Sequence, residues 1–264
     1  MEVHHHSHHP KKWKEYITEF LMLFLAVSLG FLAENLREGY VEKERSHELV
    51  SSFIKDVELN VQFLDSLIKG DKRNLLKCDS IALYIIKTPK DIDLSYVYEI
   101  PSTSYRYLSN NDTYDQMKSS GSLRYIKDTA LLSMMIEYSN LSKATEFRSV
   151  VQEYDYTANE FQSTLNKYVP IEIAANKRKS VFNYPERFIA DSNEKKFYEE
   201  TISLIKNKSF ILPNDKIQVF KNDLVPVIYR RTALTSATMN FMHMTKNTAE
   251  DLLKYYKTHN QHSQ

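Results

Sequence analysis

The chain has 264 residues, 42% hydrophobic and 26% charged, with a formal net charge of +1. That composition allows a sizeable core and excludes a global field that would draw in nucleic acid or an acidic surface. Four glycines and seven prolines are too few for the closely spaced turns of a β fold, and the lone Cys78 excludes an internal disulfide, a cysteine-based zinc site and a CxxC redox pair. Long helices with few turns are expected.

Residues 1–15 read as a histidine-rich and basic tail, MEVHHHSHHP followed by KKWKE. The HHHSHH run has the look of an engineered tag. The interrupting serine and the Met-Glu-Val lead-in depart from one, and a native tail of this kind could hold a transition metal weakly. Between Glu19 and Glu34 lie fourteen uncharged residues, FLMLFLAVSLGFLA. Alone these reach only ~21 Å as a helix, against a hydrocarbon core of ~30 Å. Residues 16–36 together reach ~31 Å, with Glu19 and Glu34 near the interfaces, where long side chains can reach water. Trp13 and Tyr16 stand where an aromatic belt belongs. A soluble core helix would keep a polar stripe, whereas from Phe20 to Ala33 only Ser28 is polar. Ser28-Leu29-Gly30 has the small-x-small form of a cleavage site. The helical pattern runs on without a break through Ala33, Leu36, Tyr40, Lys43, His47 and Val50, which favours an uncleaved signal anchor. Lys11, Lys12 and Lys14 place the N-terminus in the cytoplasm by the positive-inside rule.

Residues 37–258 read as a helical bundle and 259–264 as a polar tail. Val50, Ile54, Val57, Val61, Leu64 and Ile68 follow 4,3 spacing, a heptad seam with Ser51, Ser52, Lys55, Asp56, Glu58 and Asn60 on the wet faces. Gly70 is expected to interrupt or kink this helix, with a further helical stretch, 71–87, stopped by Thr88-Pro89. A Tyr-, Ser- and Asn-rich loop covers 89–111. Asp112 is a candidate N-cap for a short helix to Ser119 or Ser120, Gly121 a left-handed C-terminal residue, and Asp128 the cap of a long helix to about Tyr168. Its expected seam is Phe147, Val151, Tyr154, Ala158, Phe161, Leu165 and Tyr168. After an irregular stretch, 171–190, a helix carries Phe197, Thr201, Leu204 and Ile205. Residues 210–220 read as an ordered connection. The last long helix runs from about Asp223 to Lys257, with a buried stripe of Ile228, Thr232, Thr235, Met239, Met242, Ala249, Leu253 and Tyr256. The fold class is therefore all-α: an N-terminal transmembrane helix continuing into an antiparallel bundle with long heptad-patterned helices.

Motifs for chemistry are sparse. Glu44-Arg-Ser-His47 matches one half of a di-metal carboxylate pattern that needs two copies. His243, between methionines, is expected to be packed, and Cys78 to be a small buried apolar residue. Arg230-Arg231 and Lys177-Arg178-Lys179 read as solvated basic faces. No Gly-rich phosphate loop, GxSxG or HExxH occurs, so no nucleotide, cofactor, metal or catalytic residue is assigned and an enzyme is not expected. Three features remain as candidate sites. Glu19 is a possible intramembrane acid of the kind found on proton paths, with snorkelling as its simpler explanation. Ala26 and Gly30 form a small-xxx-small pair suited to packing against a second span. Tyr96, Tyr98, Tyr105 and Tyr107 populate a loop that is either an outer contact surface or a cover packed over the bundle end.

Two stretches carry a resemblance. EFLMLFLAVSLGFLAENLRE, and YDQMKSSGSLRYIKDTALLSMMIEY from Tyr114 to Tyr138, together about a fifth of the chain, resemble a family of uncharacterised single-pass membrane proteins of Gram-negative envelopes, a domain of unknown function. The second resembles that family's helix, Ser-Gly turn and helix, with Gly121 at the turn. The resemblance implies an inner-membrane location and a native histidine tail, and carries no reaction or cofactor.

The resulting expectation is a single-pass inner-membrane protein with a cytoplasmic N-terminus and a periplasmic domain. It would bind, scaffold or sense without catalysis. Its partners would be membrane lipid and a second copy or a membrane protein, with no nucleic acid or nucleotide. The alternative is a subunit of a proton-driven or multi-component envelope complex that uses its transmembrane segment.

Overall fold

The computed structural model describes residues 13–102, 104–168, 170 and 210–260. The histidine tail, Lys177-Arg178-Lys179 and the helix expected after residue 191 lie outside them. The all-α expectation holds, with no strand among the described residues. The main elements are α1 (Trp13–Lys87), α2 (Leu94–Val97), α3 (Asp112–Ser120), α4 (Thr129–Phe147), α5 (Gln162–Asn166) and α6 (Ile217–Asn260). The chain divides into two compact units, residues 1–53 with 112–132 and residues 54–111 with 133–264.

In the first unit, Phe53 meets Tyr114 with ring centroids 5.8 Å apart, and buried Ser46 Oγ donates to the Ser122 carbonyl at 3.1 Å. Gly121 takes φ 73°, a left-handed conformation that glycine adopts without strain. Asp128 Oδ1 accepts from the Leu131 N–H at 3.0 Å and so caps α4 as expected. The apolar segment of α1 is long and apolar enough to cross a membrane by length and composition, and none of its most apolar window is buried.

The second unit is built on three polar-interrupted seams. On α1, Val57, Asn60, Leu64, Leu67, Asp71, Cys78, Ile81 and Ile85 are buried on one heptad grid, with Ile54, Ile68 and Ala82 buried beside it. On α6 they are Leu224, Ile228, Arg231, Thr235, Thr238, Met242, Thr245, Ala249 and Leu252. Contacts order these helices. Lys257 pairs with Glu58, Lys246 with Asp65, and Lys221 with the Ile86 and Thr88 carbonyls, so α6 runs antiparallel to α1. It also runs antiparallel to the helix after residue 133, because Thr145 meets Thr245 and Glu160 meets Arg230. Asn60 of α1 meets Tyr138 of α4. The chain returns between these two helices as a strap, residues 88–111, pinned to the segment before α6 by Leu94 N–H to Phe210 O and Leu212 N–H to Ile92 O. Ile81, Ile85, Ile92, Ile100, Phe161, Leu165, Phe220, Leu224 and Ile228 form the main apolar core, each large side chain worth ~1.5–3 kcal/mol on full burial.

Several expectations are corrected. Gly70 does not interrupt α1, which continues to Lys87. Its missing side chain makes room for Tyr105 instead. Asn60 is buried rather than wet, Arg231 is buried rather than solvated, and His243 is exposed rather than packed. The seam expected from Phe147 fails in its first half, where Phe147, Val151 and Tyr154 are exposed, and holds at Phe161 and Leu165, which are buried. Phe147 is already off the buried 4,3 grid of α4, and two π-helical segments follow, Arg148–Glu153 and Tyr156–Phe161. Their i→i+5 hydrogen bonds make a turn wider than 3.6 residues. Buried positions accordingly change from 4,3 spacing (Leu131, Met135, Tyr138, Ser142, Thr145) to steps of four (Ser149, Glu153, Thr157, Phe161, Leu165).

Candidate functional site

The three seams of the second unit each contribute a charged residue to its interior: Asp71 from α1, Glu153 from the π-helical segment and Arg231 from α6. Their residues are 0%, 1% and 2% exposed. Asp71 and Arg231 each sit a turn from a buried apolar residue, Leu67 and Ile228, and Glu153 lies between buried Ser149 and Thr157, so burial follows from backbone position and not from side-chain preference.

Thr235 Oγ1 donates to Glu153 Oε1 at 2.8 Å. The Arg231 Nη1 donates to the Pro101 carbonyl of the strap, and its guanidinium lies 4.5 Å from the Phe161 ring centroid, a favourable cation–π placement in a dry site. Asp71 is different. Neither of its oxygens has a partner of hydrogen-bond geometry, although the Tyr105 N–H is near enough to act on it electrostatically. Glu153 Oε2 and the hydroxyls of Thr157 and Thr238 are likewise unpartnered. Orphaned polar atoms of this kind are rare in folded interiors.

Burial pushes the Asp71 carboxyl up to about 8, and the Glu153 charge adds to the shift; Arg231 and the Tyr105 N–H oppose it. Burial also raises Glu153, against the Thr235 and Thr238 hydroxyls and Arg231. Arg231 is lowered by burial, with Cys78, Glu153, Asp71 and Tyr156 opposing. Burial and a second acid nearby are what hold a proton on a carboxyl near neutral pH, and the guanidinium works against them.

The strap lies close to this cluster. A Cβ on Gly70 would sit 2.5 Å from Tyr105 Cε2. Gln162 Nε2 donates to the Ser102 carbonyl. Tyr107 is fully buried, its hydroxyl 2.8 Å from Ser142 Oγ. Of the four loop tyrosines only Tyr105 is exposed; Tyr96 and Tyr98 are half-buried against the main core, and Tyr107 is no part of an accessible surface. Glu19, Ala26 and Gly30 lie together on the exposed apolar part of α1, with nothing within 4 Å of a Cβ placed on Gly30. Cys78 is buried in the main core as expected. Among the described residues no group of three or more His, Cys, Asp or Glu is arranged to hold a metal ion.

Sequence reading missed Asp71, Glu153 and Arg231. For two of them a signal existed: Asp71 falls four residues after Leu67, and Arg231 three after Ile228, on grids that the neighbouring apolar residues define. Glu153 had no such signal, because the π-helical phase shift precedes it.

Fold and site together define an all-α protein with a buried acid–guanidinium cluster and one long uncovered apolar helix. No known protein family, curated protein or solved structure matches the chain.

Proposed function

We propose that this chain is a membrane-anchored helical module that binds, scaffolds or senses at an envelope, without catalysis of its own. One observation carries the reading. Trp13, Phe20, Leu23, Phe24, Leu29, Phe31 and Leu32 are all exposed on successive faces of α1, and an apolar surface that encircles a helix needs lipid around it. Lys14, with Lys11 and Lys12 before it, favours a cytoplasmic N-terminus, an inner-membrane single pass and a periplasmic bundle. The tyrosines of the strap are mostly occupied in packing, which leaves the uncovered helix as the stronger candidate for contacts with lipid, a second copy or a membrane partner. Membrane fractionation with an alkaline carbonate wash, together with a periplasm-specific reporter at the C-terminus, tests the assignment. Retention in the membrane and an active reporter are expected; release by the wash or a reporter active only in the cytosol overturns it.

A further inference from the structure

The cluster of Asp71, Glu153 and Arg231 holds two acids and one guanidinium almost wholly out of solvent. Arginine keeps its charge throughout the accessible pH range. Ionising both acids would therefore leave one negative charge uncompensated in the core, where desolvation strongly penalises it. The hydrogen-bond inventory leads to the same conclusion. As carboxylates, Asp71 and Glu153 present three buried oxygens without a well-formed hydrogen bond, Asp71 Oδ1, Asp71 Oδ2 and Glu153 Oε2, with only loose approaches from the Tyr105 N–H and the Thr238 hydroxyl. A proton on Asp71 removes one of the two negative charges and makes the cluster neutral overall. A metal cation would correct the charge too, but against the fixed positive charge of Arg231.

We propose that this cluster is a binding site for a single proton, carried by Asp71, and that loss of the proton loosens the strap of residues 88–111 from the bundle. The groups acting on Asp71 come from every packed element: Glu153 from the π-helical segment, Arg231 from α6, and the Tyr105 N–H from the strap. Cys78 on α1 and Tyr156 act on Arg231 in turn. The strap is the part able to respond. Its Pro101 carbonyl is held by Arg231, its Ser102 carbonyl by Gln162, and Tyr105 covers Gly70, the residue before Asp71. An ionised Asp71 must find water or a second donor, and the nearest element it can displace to do so is this strap. Burial and the Glu153 charge bring Asp71 to about 8, so the proton is held at neutral pH and released in mild alkali. The site gives the sensing role proposed above a chemical input, a proton. The two fail separately, because a cytosolic C-terminus removes the anchor topology and leaves the bundle chemistry untouched.

The test is amide hydrogen exchange on the full chain in detergent micelles, with intrinsic pH effects corrected, at one pH well below and one well above 8. Peptides covering residues 98–108 are expected to exchange several-fold faster at the higher pH in the wild type. In Asp71→Asn, which keeps a neutral side chain at both, the difference should vanish. Equal wild-type protection at the two pH values, or the same pH response in Asp71→Asn, overturns the proposal. If Asp71→Asn does not fold, the wild type still decides. A protonated-carboxyl infrared band present at the lower pH and absent at the higher supports the site, and its absence at the lower pH overturns it. Glu153→Gln removes the second negative charge and should move the midpoint of the strap response to lower pH; an unmoved midpoint overturns the coupling.

Discussion

The ring of Tyr105 occupies the space that a side chain on Gly70 would fill, with Tyr105 Cε2 only 2.5 Å from the position of a Cβ. Gly70 lies inside a helix and carries no positive φ, so contact and not backbone conformation explains glycine there. Glycine in a helix interior is disfavoured by about 1 kcal/mol relative to alanine. Gly70→Ala should therefore stabilise the chain by about that amount once Tyr105 is gone, and lose that gain or destabilise when Tyr105 is present. The check is a double-mutant cycle with Tyr105→Ala by denaturant unfolding. Additive effects would mean that the two residues do not touch.

Asp71 and Glu153 make a second prediction, with a definite sign. Both carboxyls are raised in the folded state, Asp71 to about 8 from an ordinary value of 3.8. The folded chain then binds protons that the unfolded chain has released, so stability falls as pH rises between the two values. The contribution of Asp71 is fully present below about pH 4, declines through neutrality and is spent above about 8. Its size is of the order of a few kcal/mol. Unfolding midpoints in denaturant, followed from mildly acidic to mildly alkaline pH, should fall in the wild type. The fall should be smaller in Asp71→Asn, where Glu153 alone remains raised, and Asp71→Asn should be the more stable protein at the alkaline end.

The all-α architecture was legible because its signals are local. The 4,3 grid through Val57, Leu64 and Ile68, the stop at Thr88-Pro89, the left-handed Gly121 and the Asp128 cap all depend on residues within one or two turns. What escaped depends on partners distant in sequence. Asn60 looks wet until Asn110 and Tyr138 arrive to satisfy it. Gly70 reads as a helix breaker until Tyr105 fills its place. A seam started at Phe147 begins off the buried face of α4, and the π-helical segments then shift the phase so that only Phe161 and Leu165 of it are buried. Arg231 was assigned to solvent because charge was weighted above phase, although Leu224, Ile228 and Thr235 fix its phase as buried.

Asn60 itself is open to test. Its Nδ2 donates to Tyr138 Oη at 2.9 Å and to the Asn110 carbonyl at 3.0 Å, while its Oδ1 accepts from the Asn110 N–H at 3.0 Å. The side chain thus clamps the strap where it leaves the bundle, and burial raises the Tyr138 hydroxyl against the stabilising Asn60 contact. Asn60→Ala removes three bonds and leaves groups on Asn110 unpaired, one side of which water can reach. The expected loss is about 1–3 kcal/mol. Tyr138→Phe removes the hydroxyl's contacts with Asn60, Tyr107 and Ser142 but leaves both bonds between Asn60 and Asn110, and should lose about 1 kcal/mol. Equal losses from the two would show that the clamp on Asn110 contributes nothing.

Gly30 carries the remaining prediction. It stands four residues after Ala26 on the uncovered part of α1, both are exposed, and nothing lies within 4 Å of a Cβ placed at Gly30. Within this chain, then, no packing requires a small residue there. Small residues one turn apart let two membrane helices approach closely, and close approach provides the dispersion that holds spans together where lipid cancels the hydrophobic drive. If a second copy occupies this face, a branched side chain at Gly30 must push the helices apart. Gly30→Ile should insert normally, since isoleucine is more apolar than glycine and long enough spans tolerate it. Its cross-linked dimer yield in membranes should drop several-fold relative to wild type, with Val27→Ile on a neighbouring face as the matched control. Unchanged yield in Gly30→Ile, or an equal drop in the control, would assign the uncovered face to lipid alone and remove the second copy from it.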